Sequence, residues 1–326
     1  MSHADSIHVN VSRFTKDQII DLMSLDSNAG EAILNALFTH IATQPYSILF
    51  DTSGSSKSEG RFNIMAFAPS AIIEAKGDTV CLIDALSSKR TSLSLRPFEA
   101  VEQHLHARVK LVEVHANFET EHLPFIVGVA GMAGYDTGRF YETLPTIAKN
   151  DYSTPDFTVG LYTSSLIEDT QTGYVYFCTA DNLTLHEVFS NNKTNNKSLS
   201  FKLSSPFESN LSKDDYEQCL EKINAYLRAG DCYQVNMAQR FTATYEGSMW
   251  HAYCHLRDHN QAPFSAFYNL PQGCIASISP ERFLRVKDGI VETKPIKGTR
   301  PRFEDAEKDE ASAQSLLSAE KDRSEN

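Results

Sequence analysis

The decapeptide TKPIKGTRPR at 293–302 sets Lys297 between a Pro-Ile pair and a Gly-Thr-Arg-Pro turn. An amine on so constrained a backbone is either an ordinary loop cation or a nucleophile, and the second role needs a proton donor close by. Glu281, which closes the strand of SISPERF, can supply the proton. Two antiparallel strands joined by the turn Lys287-Asp288-Gly289 would bring Glu281 and Lys297 to one side of a pocket. A solvated hairpin carrying an unrelated glutamate and lysine satisfies the same two residues, so the pair alone leaves both readings open.

The same turn holds Gly298, Thr299, Arg300 and Arg302, with Lys294 just upstream. A glycine that permits close approach, a hydroxyl and concentrated positive charge suit a carboxylate-bearing substrate; they suit a Pro-bounded surface turn equally well. Gln234 and Asn236 stand two residues apart in a strand-like segment, hence on one face, where they meet either a ligand or solvent. Tyr135-Asp136 offers the same choice. No zinc site is expected from the 11 histidines.

The elements that must carry these groups are legible in the periodicity. Ile33, Leu34, Leu37, Phe38 and Ile41 follow helical spacing between Ser27 and Gln44, and PYSILFDTSG reads as a strand entering a loop. AIIEA and TVCLID are strand-like, and a helix follows Pro97 with Phe98, Val101, Leu105 and Val109 on one side. The glycines of PFIVGVAGMAGYDTGRF indicate close backbone approach within a strand and do not form a G-x-G-x-x-G fingerprint. GLYTSSLIED and GYVYFCTA read as an antiparallel pair around DTQTG.

Downstream, SNNKTNNKSLS is polar and of low complexity, which divides the chain into residues 1–190, a linker at 191–210, and residues 211–326. Ser212 with Asp215 forms a capping box for a helix that runs to Gly230. CYQVNMAQRFTATY has strand character and SMWHAYCHLRD helical character. FSAFYNL, GCIASIS, ERFLRV and GIVETKPI follow as strands. Many strands with flanking helices and no regular βαβ alternation give an α+β fold.

Composition narrows the function classes. With 30 Lys and Arg against 42 Asp and Glu, the net charge of −12 opposes binding to nucleic acid or anionic lipid, and no apolar run is long enough to span a bilayer. The first residues lack an apolar signal core, and the six scattered cysteines suit free thiols in a reducing, cytoplasmic compartment.

GDCYQVNMAQRF, APFSAF, SPERF, TKPIKGTRPR and KDRSEN, in that order, resemble the chorismate-utilising enzymes, and within them the branch that forms aminodeoxychorismate. The likeness runs from about Pro45 to the last residue. It implies layered antiparallel sheets flanked by helices, incomplete at the C-terminus. It also implies that Lys297 attacks C2 of chorismate while Glu281 protonates the departing C4 hydroxyl, after which ammonia takes C4. For this, burial and the neighbours Lys294 and Arg300 would have to lower the lysine from its reference value of about 10.4. Anthranilate-forming relatives carry Ala in place of Lys297. Isochorismate-forming ones carry a water-activating lysine in place of Gln234, so hydration is not expected.

Further implications are Mg2+ held in part by Glu325, substrate contacts from Gly298, Thr299 and Gln234, and a glutamine amidotransferase subunit as ammonia source. The resemblance also implies a tryptophan pocket at Ser53, Arg61, Phe62, Asn236, Pro263 and Phe264. Because the family continues past the KDRSEN motif, the 326-residue chain is expected to be inactive by itself.

Overall fold

The structure, a computed structural model, describes residues 7–23, 33–53, 60–109, 112–147, 149–181, 183–190 and 200–325, with residues 23, 33–36, 190, 321 and 325 described as backbone only. The chain forms two compact units, Met1–Thr194 with Tyr253–Asn326, and Asn195–Ala252.

In the larger unit the strands are β1 (Ile7–Phe14), β2 (Ile48–Asp51), β3 (Phe62–Ala66), β4 (Ala71–Lys76), β5 (Thr79–Asp84), β6 (Arg90–Leu93), β7 (Val112–His115), β8 (Gly128–Ala133), β9 (Phe157–Tyr162), β10 (Ser164–Asp169) and β11 (Val175–Thr179). In the smaller unit, β12 (Phe201–Leu203) pairs with β15 (Tyr245–Gly247), and β13 (Glu208–Ser209) pairs with β14 (Phe241–Thr242). The chain then re-enters the larger unit as β16 (Ser265–Leu270), β17 (Gly273–Ser277), β18 (Arg282–Lys287) and β19 (Ile290–Lys294). The helices are α1 (Lys16–Met23), α2 (Ile33–Ile41), α3 (Pro97–His104), α4 (Leu185–Ser190), α5 (Lys213–Ala229), α6 (Met249–Asn260), α7 (Ala306–Ser318) and α8 (Glu320–Glu325).

Among the described residues, one sheet runs in the order β17-β16-β2-β3-β10-β11-β1-β7 and a second in the order β6-β5-β4-β9-β8. All neighbours are antiparallel except β1 and β7, which run parallel. The fold is α+β, as expected.

GLYTSSLIED, expected as one strand, is two. β9 belongs to the second sheet and β10 to the first, and the chain changes sheet at Thr163. Both halves are almost wholly buried, polar Ser164, Ser165, Glu168 and Asp169 included, so no alternation of apolar and polar residues marks the corner. Tyr162, fully buried at this corner, packs with Ile48, Ala66, Tyr268 and Leu270. Its hydroxyl donates to the Tyr46 carbonyl at 2.7 Å. Gly131 shows the close approach expected of its segment, because a Cβ there would fall 2.0 Å from the Thr158 carbonyl oxygen.

The division at residues 191–210 needs correction. Residues 191–199 lie outside the described residues, but β12 and β13 make ladders within the smaller unit, so 201–209 is not a linker. β16, which the sequence division assigned to the second domain, pairs with β2 at the register Phe267↔Leu49 and extends the first sheet. Long-range strand pairing of this kind leaves no local composition signal.

The capped helix is α5. Ser212 accepts from the Asp215 N–H, and Gly230 closes the helix at φ 79°. The segment after it departs from expectation. Residues 232–240, read as a strand carrying Gln234 and Asn236, are irregular and take no part in a described ladder. Alternation there has no neighbouring strand to satisfy its backbone groups, and both side chains are exposed. The helix after Pro97 is shorter than its apolar spacing implied: α3 ends at His104 and a 3-10 turn covers His106–Val109. No helix among the described residues is long and apolar enough to cross a membrane.

Candidate active site

β18 and β19 form a hairpin whose turn residues Asp288 and Gly289 both have positive φ (52° and 76°), the geometry that matches the strand twist. Register pairs Arg282 with Lys294 at the open end. Glu281 therefore stands immediately before β18 and not at the close of β17, while Pro295, Ile296 and Lys297 leave β19 opposite it. The Glu281 carboxylate accepts a hydrogen bond from the backbone N–H of Ile296. The acid is thus tied to the peptide next to the lysine.

The turn that follows is held from α8. Gly298 has φ 65°, and a Cβ on it would fall 2.6 Å from Cγ of Asp322. Asp322 in turn accepts from Arg300 at 2.9 Å. Arg302 makes a two-point bond with Asp309 at 2.7 and 2.8 Å, and Ser312 donates to the Pro301 carbonyl at 2.7 Å. KGTRPR is therefore anchored along its length by α7 and α8, a role for Asp309 and Asp322 that sequence reasoning missed. The spacing of Arg302 and Asp309, seven residues apart, carries no recognisable local signal.

Lys297 and Thr299 are exposed and Gly298 is half-buried. The burial expected around the lysine is not provided by the described residues. Gln234 and Asn236 belong to the smaller unit. Glu325 ends α8, but its side chain lies outside the described residues. Among the described residues no three carboxylates converge as a hard cation requires.

A second set of expected residues lines a cleft of about 700 Å³ in the larger unit, where Arg61, Phe62, Pro263 and Phe264 meet Arg282 and His122. Arg61 lies 4.7 Å over the Phe62 ring, and Arg282 lies 4.7 Å over the Phe264 ring. Arg61 is oriented by Asp169, which accepts from Nε at 3.0 Å and from Nη2 at 2.8 Å. Burial would raise the Asp169 carboxyl, but hydrogen bonds from Arg61, Thr172 and the Gln171 N–H outweigh it and hold it below its ordinary value.

Ser53, with φ 54°, bonds the hydroxyl of Ser265 at 3.0 Å beside the cleft. Its N–H donates to Asp51 at 2.6 Å, and Asp51 also receives Arg257 and the Tyr253 hydroxyl in a buried network. Sequence reasoning did not single out Asp51, Asp169 or Arg257. Asp51 on β2 and Arg257 on α6 are 206 positions apart, and Asp169 meets Arg61 108 positions away beside the β10–β3 ladder, so no local spacing marks either pair.

The chain belongs to the chorismate binding enzymes, whose family model matches residues 49–326. More particularly, it is similar to aminodeoxychorismate synthase component 1 of Klebsiella aerogenes, with 37% identity over 292 residues, 89% of this chain and 62% of that protein. The corresponding Escherichia coli K12 protein is 36% identical over 289 residues, again 89% and 62% of the two chains. The solved anthranilate synthase component I of Streptococcus pneumoniae TIGR4 aligns with a TM-score of 0.64 at 25% identity, over 83% of this chain and 61% of that one. The chain thus spans about three fifths of the length of these relatives.

Proposed function

We propose that this protein acts as an aminodeoxychorismate synthase component, with Lys297 as nucleophile and Glu281 as general acid. The lysine nitrogen bonds C2 of chorismate, the ring double bonds shift, and the C4–O bond breaks. Glu281 gives the leaving hydroxyl its proton, so that water departs. Ammonia then bonds C4, the double bonds return, and the C2–N bond to Lys297 breaks, yielding 4-amino-4-deoxychorismate for p-aminobenzoate and folate synthesis. The observation that carries this reading is the Glu281–Ile296 bond, which holds acid and amine on adjoining backbone. Gly298 and Thr299, in the anchored turn, are assigned to substrate contact.

The likeness to proteins named component 1 supports a second component, which we assign as a glutamine amidotransferase delivering ammonia. Mg2+ is part of the same proposal, with Glu325 as one of the carboxylates that would hold it. The absence of a long apolar helix among the described residues and the six free thiols are compatible with a cytoplasmic location.

Incubation of the full-length protein with chorismate in the absence of ammonia, followed by intact and peptide mass spectrometry, tests the reading. A covalent adduct on the Lys297 peptide, lost in Lys297→Ala, supports it. Chorismate consumption with anthranilate and pyruvate as products would overturn it in favour of amination at C2.

A separate observation favours a bound indole amino acid. The cleft offers aromatic and proline walls at Phe62, Phe264 and Pro263, with cations and Asp51 at its margin. We assign this cleft, with Ser53 beside it, to tryptophan. Calorimetric titration should show binding that Phe264→Ala weakens; unchanged affinity in that variant would move the ligand elsewhere.

A further inference from the structure

His8, Glu113 and His115 lie 107 residues apart in sequence at the extremes but meet at the edge of the first sheet. β1 and β7 are parallel with His8 opposite Glu113 and Asn10 opposite His115. Residues in register on neighbouring strands share a face, as do residues two apart on one strand, so all three side chains project on the same side. Their ligand atoms lie within 4.8 Å of one another and are exposed to solvent. His8 Nδ1 is 3.2 Å from His115 Nε2 and 3.3 Å from a Glu113 carboxylate oxygen.

Metal–ligand distances of about 2.0–2.1 Å to nitrogen and oxygen require about 3.3 Å between ligands at the corners of a tetrahedron. The two measured spacings already match that edge. The ring centroids lie 5.5 Å apart with 20° between their planes, and because all three residues are exposed a water can serve as fourth ligand. Two imidazoles and one carboxylate form the donor set that suits a borderline transition metal and is too rich in nitrogen for magnesium or calcium.

We propose that His8, Glu113 and His115 form a divalent transition-metal site, of the zinc type, that ties β7 to β1. The strands fix the donors in advance, so binding requires only small movements of exposed side chains. Among the described residues strand β7 is the outermost of its sheet and pairs with β1 alone, so a metal bridge there would hold an edge otherwise kept by one ladder.

Titration of the chelator-stripped full chain with Co2+ tests the site. One equivalent should bind with visible d–d bands and without the near-ultraviolet thiolate charge-transfer band that the free cysteines would produce. Zn2+ should displace the cobalt and raise Tm, and His8→Ala or His115→Ala should weaken Zn2+ binding by about tenfold or more. Thiolate bands in the wild-type spectrum, no Co2+ binding, or a Zn2+ affinity unchanged in the His8→Ala/His115→Ala double variant would each overturn the proposal. Because the wild-type spectrum reports ligand type directly, the result does not depend on the variants folding.

Discussion

The Glu281 carboxylate accepts its hydrogen bond from the N–H of Ile296, the residue before Lys297, so the hairpin's open end is closed by the acid itself. Removing the acid and loosening the lysine are therefore separable. Glu281→Gln keeps an oxygen that can accept from Ile296 but cannot serve as the acid; in the full-length protein, turnover of chorismate with ammonia should fall by about 10²–10⁴-fold with KM little changed. Glu281→Ala also releases the peptide, and steady-state kinetics should show KM rising as well as kcat falling.

Gly298 combines a positive φ with a side chain pressed against it. An alanine there would meet Asp322 at 2.6 Å and strain the backbone at φ 65°. Gly298→Ala should cost about 1–3 kcal/mol in urea unfolding. If the contact with Asp322 is the larger part, Gly298→Ala/Asp322→Ala should destabilise by less than the sum of the two single changes.

Asp51 and Arg257 pair in the interior with the Tyr253 hydroxyl as third partner. Asp51→Ala leaves the Arg257 guanidinium, in a site nearly closed to water, with the largely exposed Asp258 carboxylate in place of its buried counter-charge. Equilibrium denaturation should show a loss of roughly 3–5 kcal/mol. Replacing both members with apolar residues of similar volume should restore much of it.

Asp169 sits below its ordinary value of 3.8 in the folded chain because the bonds from Arg61, Thr172 and Gln171 outweigh burial. A carboxyl depressed by folding binds fewer protons in the native state. Its contribution is complete above the unfolded value and is lost as pH falls through the folded one. Stability measured against pH should therefore decline below about 3.9, and Arg61→Met should flatten that part of the profile.

Burial pushes the Cys178 and Cys254 thiols up to about 12. Alkylation with iodoacetamide at about pH 8.5, the ordinary thiol value, should leave these two unmodified longest, as read by peptide mass spectrometry.

How much of this was legible beforehand depends on the range of each interaction. The Ser212 cap, the Gly230 stop, the turns at Pro271-Gln272 and Asp288-Gly289, and the approach of Glu281 to the Lys297 segment follow from residues within about 20 positions of one another, and local sterics and hydrogen bonding determine them. The motifs from GDCYQVNMAQRF to KDRSEN likewise sufficed for the family. Only the tertiary structure decided that β16 joins β2, that GLYTSSLIED turns a corner between two sheets, and that residues 232–240 form no ladder. It also decided that Asp169 meets Arg61 and His8 meets His115. These depend on which strands become neighbours, a choice made by burial over more than a hundred residues of separation, and a continuous apolar run or an isolated charge carries no mark of its distant partner.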